Sequence, residues 1–199
     1  FLWSALEPQK GYYWDDSQGR STWEKYDKLV GLYNQHELEV IARLDAPPTW
    51  ARSPKDDVKT WTKGPPQNFA DYGDFVYTFV ERYRGKIKYY QIWNEPNIYP
   101  EWGDRPVDAR GYAELLKVAY KRAKEADPEA VVVSAALGPT LGTSDGKNES
   151  DLSFLQKMYD AGGRDYFDIM SVMGYGLWSG PGNRRADPGQ ANFSRPRLI

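Results

Sequence analysis

The chain has 199 residues, no cysteine and one histidine, and its 26 Lys and Arg nearly balance its 28 Asp and Glu. The length suits one domain with a core of its own, and the balanced charge offers no basic surface for nucleic acid or an anionic membrane. No apolar run approaches the roughly 18 residues that span a bilayer. Without cysteine, and with His36 alone, the chain has no thiolate or multi-histidine metal site, so we expect no cofactor.

Segments with strand spacing alternate with segments of helical spacing along the chain. The first residues, 1–3, resemble the tail of a strand. Apolar residues recurring every three or four positions predict helices over 22–36, 68–83, 108–126 and 151–160. Runs rich in β-branched or aromatic residues predict strands over 38–44, 86–93, 130–136 and 166–172, and a further helix is expected to begin near Ser194.

This alternation predicts an α/β fold with a parallel sheet, in one domain over residues 1–199. The run 130–136 (AVVVSAA) is almost continuously apolar, as expected of a parallel strand covered on both faces. No strand is followed by a glycine-rich phosphate loop, which disfavours a nucleotide-dependent enzyme.

Polar and aromatic residues follow the predicted strands, at the edge where parallel α/β folds assemble their sites. Glu95 comes directly after an aromatic strand end, between Asn94 and the rigid Pro96. Restricted freedom and partial burial raise the pKa of a carboxyl group and suit a general acid. The residue types also allow a plainer interpretation, in which Glu95 caps the next helix or pairs with an arginine.

The stretch 90–97 (YQIWNEPN) resembles the W-N-E-P-N signature of clan A glycoside hydrolases, most closely the β-xylosidase/iduronidase-like family. Residues 3–14, 40–50 and 167–176 resemble, in order, the loop after strand two, strand three with its loop, and strand six of that family. The resemblance implies a (β/α)₈ TIM barrel of which this chain holds about strands two to six. A complete barrel typically needs about 250 residues.

Site roles follow from the same resemblance. It implies that Glu95 is the acid/base, that Asn94 binds the substrate 2-hydroxyl, and that Tyr175 lies near the nucleophile. Further substrate contacts are expected from two aromatic and two charged residues, namely Trp50, Trp178, Arg43 and Asp45. The tryptophans could instead only cover the barrel mouth, and Arg43 could pair with Asp45. Glu7 is expected to fix the loop after strand two.

Two departures from the family pattern leave the activity open. Met173 stands where many relatives carry histidine, and no strand ending in the nucleophile glutamate of strand seven is present. Asp45, Glu101 and Asp104 do not match the nucleophile position, which is therefore expected beyond Ile199. The first hypothesis is a retaining O-glycosyl hydrolase. The alternative is a catalytically inactive barrel that serves as a carbohydrate-binding or structural module of a larger envelope assembly.

The expected partners are a carbohydrate substrate or ligand, with no nucleic acid and no membrane span in this segment. The rest of the barrel, or a partner chain, is expected to cover the open sheet edge, because exposed edges invite association. Barrels of this kind are commonly exported, so an extracellular or cell-envelope location is expected.

Overall fold

A computed structural model describes residues 1–53 and 64–199. The helices, in chain order, are α1 (Trp3–Leu6), α2 (Glu24–Gln35), α3 (Phe69–Arg82), α4 (Ala109–Ala126) and α5 (Asp151–Asp160). The strands are β1 (Trp14–Asp15), β2 (Arg20–Ser21), β3 (Ile41–Leu44), β4 (Tyr89–Ile92) and β5 (Val131–Val133). Short 3₁₀ turns cover Thr49–Ala51, Gly163–Asp165 and Arg195–Leu198. No described helix is long and apolar enough to cross a bilayer.

The main sheet, formed by β3, β4 and β5, is parallel and its strands lie side by side in chain order, whereas β1 and β2 form a separate antiparallel pair. Strand β4 is central, pairing with β3 on one side and with β5 on the other. The chain continues this order at both edges, because Leu2 bridges Asp45 beside β3 while Val172 bridges Leu137 beyond β5, all in parallel. Helices α3 and α4 connect successive strands. Repeated βα units without a reversal of strand order form one side of a barrel wall.

Helices α3 and α4 begin where the sequence offers capping side chains. Asn68 accepts a hydrogen bond from the backbone N–H of Ala70, and Asp108 accepts one from Gly111, so each satisfies a free N–H of the first turn. The apolar faces of α3 and α4 then bury against the outer face of the sheet. This apolar packing holds the strands and so fixes the edge at which they end.

Two buried tyrosines tie the helices to the strand ends. The hydroxyl of Tyr72 on α3 donates to the carbonyl of Leu44, the last residue of β3, at 2.7 Å. The hydroxyl of Tyr112 on α4 donates to the carbonyl of Ile92, the last residue of β4, at 3.1 Å, and accepts from the N–H of Ala135 at 2.7 Å. Burial raises the pKa of both phenols, so both remain protonated donors.

The predicted strand over 166–172 is wrong as a continuous element. The structure has a 3₁₀ turn at Gly163–Asp165 and then only single bridges from Ile169 and Val172. Backbone bonds to the neighbouring chain remain, from the N–H of Asp168 to the carbonyl of Val132 and from the N–H of Ser134 to the carbonyl of Ile169. Side-chain bonds are mixed with them, since the carboxylate of Asp168 accepts from the N–H of Val132 and the N–H of Ser171 donates to the hydroxyl of Ser134. The other three strands are present but shorter than predicted.

The helix expected near Ser194 is reduced to the 3₁₀ turn Arg195–Leu198. Pro196 lies in its first turn and supplies no N–H, which limits helical hydrogen bonding. The guanidinium of Arg195 is buried, and it holds this end of the chain against the start of α5 through Asp151.

Candidate active site

The predicted site residues of β3 and β4 meet at the carboxyl edge of the sheet. Asp45 follows β3, while Asn94 and Glu95 follow β4. Residues 136–138 continue from β5 along the same edge. Parallel strands place such residues together even though some 50 positions separate them along the chain.

Arg43 links the first two strand ends. Its Nε lies 3.0 Å from the Oδ2 of Asp45, and its Nη1 donates to the Oδ1 of Asn94 at 3.1 Å. Asp45 and Asn94 are both buried, whereas the arginine is partly exposed. The predicted pairing of Arg43 with Asp45 is therefore present. Arg43 also orients the amide of Asn94, because its guanidinium occupies the Oδ1 of that amide.

Glu95 is held by its backbone in an unusual conformation. Its N–H donates to the carbonyl of Ala136 at 3.1 Å, and its own carbonyl accepts from the N–H of Ile98 at 3.1 Å. Its φ is +39°, and that of Trp93 is +72°, both in the left-handed region that costs non-glycine residues energy. The indole N–H of Trp93 donates to the carbonyl of Glu101 at 2.8 Å, which supports the turn. The carboxylate is half-buried at the sheet edge.

Asn97 has a structural part in this turn that the sequence analysis did not assign. Its side chain is fully buried, and its Nδ2 donates to the carbonyls of Gly138 and Glu149 at 2.8 and 3.0 Å. Its Oδ1 accepts from the N–H of Gly138 at 2.8 Å. The sequence shows an amide two residues after the candidate acid. It does not show which groups that amide binds, because its backbone partners lie more than forty residues away along the chain.

Glu7 fixes the loop at the start of the chain, as predicted. Its carboxylate accepts from the indole N–H of Trp3 at 2.5 Å and from the N–H of Gly11 at 2.6 Å. Its carbonyl accepts from the indole N–H of Trp50 at 2.9 Å. Burial raises the pKa of Glu7, and these hydrogen bonds oppose the rise. The half-buried Trp50 is thus tied to this loop.

Tyr175 and Trp178 lie on the loop that follows Val172. Tyr175 and Trp178 are 52% and 60% exposed, in contrast to the buried Asp45 and Asn94. The N–H of Trp178 donates to the carbonyl of Ala191 at 3.3 Å, which attaches the loop to the last part of the chain. The exposure of Trp178 leaves its ring available to a ligand.

The described residues contain no group of three or more His, Cys, Asp or Glu that could hold a metal ion. The side chains that meet at this edge are a carboxylate, Glu95, an amide, Asn94, and a guanidinium, Arg43, and the amide and the guanidinium are hydrogen-bonded to each other. The carboxylates of Asp45 and Asp104 are engaged in ion pairs with Arg43 and Lys147.

The parallel βα units match part of the TIM barrels of known glycosidases. A family 39 glycoside hydrolase from Bacteroides cellulosilyticus WH2 superposes with a TM-score of 0.63 at 21% identity over 91% of this chain and 33% of that one. A monomeric β-xylosidase from Caulobacter crescentus CB15 gives 0.59 at 20% identity over 83% and 33%. Endo-glycoceramidase II from Rhodococcus sp. gives 0.51 at 16% identity over 75% and 44%.

Sequence comparison also finds a glycoside hydrolase, but the similarity is weak and partial. No family model matches the chain. The chain is 25% identical over 135 residues to endo-1,4-beta-xylanase C from Paenibacillus barcinonensis, covering 59% of this chain and 12% of that protein. This chain thus spans about a third of the length of the first two matched structures and a smaller part of the xylanase. Its fold corresponds to part of the barrel of these glycoside hydrolases.

Proposed function

We propose that this chain carries the acid/base half of a retaining glycoside hydrolase, with Glu95 as the acid/base. The observation that supports the proposal is the placement of Glu95. Its backbone is bonded to the end of the neighbouring strand through Ala136, and it follows an Asn94 whose amide is oriented by Arg43. We assign the parallel segments, from Leu2 to Val172, to strands two to six of a (β/α)₈ barrel.

In the proposed reaction the Glu95 carboxylic acid gives its proton to the glycosidic oxygen as the bond to the anomeric carbon breaks. A second carboxylate forms the glycosyl ester, and Glu95, now ionised, takes a proton from the water that hydrolyses it. The two carboxyl groups of a retaining pair lie about 5–5.5 Å apart. The resemblance implies a nucleophile at the end of strand seven, and neither Asp45, which pairs with Arg43, nor Glu101 or Asp104 matches that position, so we propose that strand seven supplies it.

Sugar contacts are proposed for Asn94, Arg43 and Asp45 at the sheet edge and for the rings of Trp50, Trp178 and Tyr175. Aromatic faces pack against the C–H face of a pyranose, and amides and charged groups bind its hydroxyls. We propose β-xylosides as the first substrates to test, because a xylanase and a β-xylosidase are among the similar proteins. Other glycosides belong in the same panel.

Two exposed isoleucines on or beside the strands are consistent with a larger barrel. Ile41 is 63% exposed and Ile169 is 43% exposed, although both lie on or beside strands. Apolar residues on a sheet face are normally covered. We propose that the remaining barrel strands cover this face in the native protein.

The second candidate is a carbohydrate-binding module without turnover. Met173 favours it, because a thioether can neither relay a proton nor donate a hydrogen bond where many related barrels have histidine. The exposed ring of Trp178 would serve binding equally well.

The deciding experiment assays the full-length protein on a panel of alkyl and activated aryl glycosides, with Glu95→Gln and a matched control, Glu101→Gln, from the same loop. A general acid contributes about 10²–10⁴-fold, so kcat/KM of Glu95→Gln should lose that factor on alkyl glycosides and far less on dinitrophenyl glycosides. Its kcat on dinitrophenyl glycosides should still fall, because Glu95 is also the base of the second step. Equal rates for Glu95→Gln and the unaltered protein would exclude Glu95 as the acid. Binding without turnover of any glycoside would favour the module.

A further inference from the structure

We infer that Asn97 is a positioning residue for Glu95, and that it acts by holding Gly138 against the carboxylate. The inference rests on the proposed function in so far as Glu95 is the acid. It concerns a residue that touches neither substrate nor reacting atoms. The loop after β4 and the loop after β5 would then set the direction of the acid together.

The Asn97 amide is a link between two loops. Its side chain has no exposed surface, and it makes a reciprocal pair of hydrogen bonds with Gly138, each of 2.8 Å. Its own carbonyl accepts from the N–H of Glu149 at 2.8 Å, and its Nδ2 donates to the carbonyl of Glu149. The loop after β5 is thus attached at both ends to one residue of the loop after β4.

Gly138 lies directly beside the candidate acid. A Cβ on Gly138 would be 3.4 Å from the Oε1 of Glu95 and 3.0 Å from the Cδ1 of Ile98. The bare Cα of Gly138 therefore forms one wall of the space that holds the carboxylate. Because Asn97 fixes both the N–H and the carbonyl of Gly138, it also fixes the distance of that wall from Glu95.

A buried amide with only a structural role would change the stability of the protein when it is lost, but not the activity of the acid. Losing a buried hydrogen-bonded amide lowers the free energy of unfolding wherever it lies, by about 1–3 kcal/mol. Asn192 supplies the matched control, because its side chain is also buried and its Nδ2 donates to the carbonyl of Arg185 at 2.7 Å, in a loop remote from Glu95 in the chain. Only Asn97 should affect how well the acid works.

The test compares Asn97→Ala, Asn97→Asp and Asn192→Ala in the full-length protein. With Asn97→Ala we expect kcat/KM on an alkyl glycoside to fall by about 10–100-fold, part of the factor that a general acid supplies. For a dinitrophenyl glycoside, whose departure needs little protonation, kcat/KM should change by less than about threefold. Asn97→Asp keeps the acceptor for the N–H of Gly138 and should lie between. Equal losses on both substrates, or the same pattern with Asn192→Ala, would overturn the inference.

A second variant approaches the same contact from the other side. Gly138→Ala leaves the Asn97 side chain intact but places a methyl group against Glu95 and Ile98, so it should reproduce the selective loss on alkyl glycosides. Gly31→Ala is its control, because a Cβ there meets nothing within 4 Å. Unchanged alkyl-glycoside kinetics in Gly138→Ala would also count against the inference.

An activity-independent measurement separates this inference from the proposed function. We expect Asn97→Ala to speed exchange of the Gly138 amide by about tenfold, the equivalent of one lost hydrogen bond, and to shift the ¹³C resonance of the Glu95 carboxyl. Asn192→Ala should do neither. If the unaltered protein turned over no glycoside, the proposed function would fail while these measurements still tested the coupling. An unmoved Glu95 resonance in Asn97→Ala would refute the coupling itself.

Discussion

Arg195 and Asp151 form an ion pair sealed from solvent, with Nη2 of the arginine 2.6 Å from Oδ1 of the aspartate and side chains 1% and 2% exposed. The remaining guanidinium hydrogens are also used, since Nη1 donates to the carbonyls of Pro188 and Gln190. Asp151 opens α5, where a carboxylate interacts favourably with the helix dipole. The last part of the chain is thus attached to α5 through one buried pair.

Arg195→Ala should lower the free energy of unfolding by about 3–5 kcal/mol, because it leaves the Asp151 carboxylate buried without its partner. The matched control is Glu125→Ala, which removes the partly exposed Arg122–Glu125 pair and should cost less than about 1 kcal/mol. Denaturant titration of both variants measures the difference. Similar costs would show that the Arg195 pair contributes no more than a surface pair.

Glu7 should give the protein a pH-dependent stability term of defined sign. Burial raises the pKa of Glu7 above its ordinary value of 4.5, so the folded state binds more protons than the unfolded state in this range. The contribution of Glu7 to stability is therefore greatest below pH 4.5 and falls as the pH rises through the folded pKa.

Glu7→Gln removes that titration, and the difference in unfolding free energy between the original protein and the variant should shrink or reverse as the pH rises. Unfolding titrations at several pH values measure it. A difference that did not vary with pH would show that Glu7 ionises as readily when folded as when unfolded.

The two tryptophans Trp102 and Trp178 should have opposite phenotypes. Trp102 is 2% exposed and meets the rings of Trp93 and Tyr112 edge-on, so Trp102→Ala should cost about 3–5 kcal/mol of stability. Trp178→Ala should change stability by less than about 0.5 kcal/mol. It should instead weaken binding of the sugar that the substrate panel identifies, measured by calorimetry. Unaltered affinity would exclude Trp178 as a sugar platform.

Alanine should have opposite effects at two helical glycines. A Cβ on Gly73 of α3 would lie 2.7 Å from Cγ1 of Val118 on α4, so Gly73→Ala should destabilise by about 1–3 kcal/mol through overpacking. Gly31 of α2 faces open space, and Gly31→Ala should stabilise by about 0.5–1 kcal/mol. Thermal unfolding of both variants measures these effects. If Gly73→Ala stabilised the protein, α3 and α4 would not approach as closely as the structure shows.

The helices were more predictable than the strands. Helix α5 has the predicted bounds, and α3 and α4 begin one residue after the capping residues Asn68 and Asp108. Helical periodicity and caps are local signals. The length of a strand depends on which neighbours it meets, and the predicted run over 166–172 makes only isolated bridges, in which backbone bonds alternate with bonds to the side chains of Asp168 and Ser134.

In the site, the motif located Asn94 and Glu95 at a strand end, and the expected pairing of Arg43 with Asp45 is present. Their catalytic and substrate roles remain predictions. The bonds that Tyr72, Tyr112 and Asn97 make to backbone groups 20 to 52 residues away had no local signal. Such contacts arise from tertiary geometry, which spacing alone does not encode.

The left-handed backbone at Glu95 lowers thermal stability at the position where the proposed chemistry needs a carboxylate. Its φ of +39° suits glycine better than any other residue and costs glutamate about 1 kcal/mol or more. A variant library screened for thermal tolerance alone should therefore enrich Glu95→Gly and discard the carboxylate. Laboratory evolution of this chain would have to couple each thermal screen to turnover or ligand capture, or keep Glu95 unchanged.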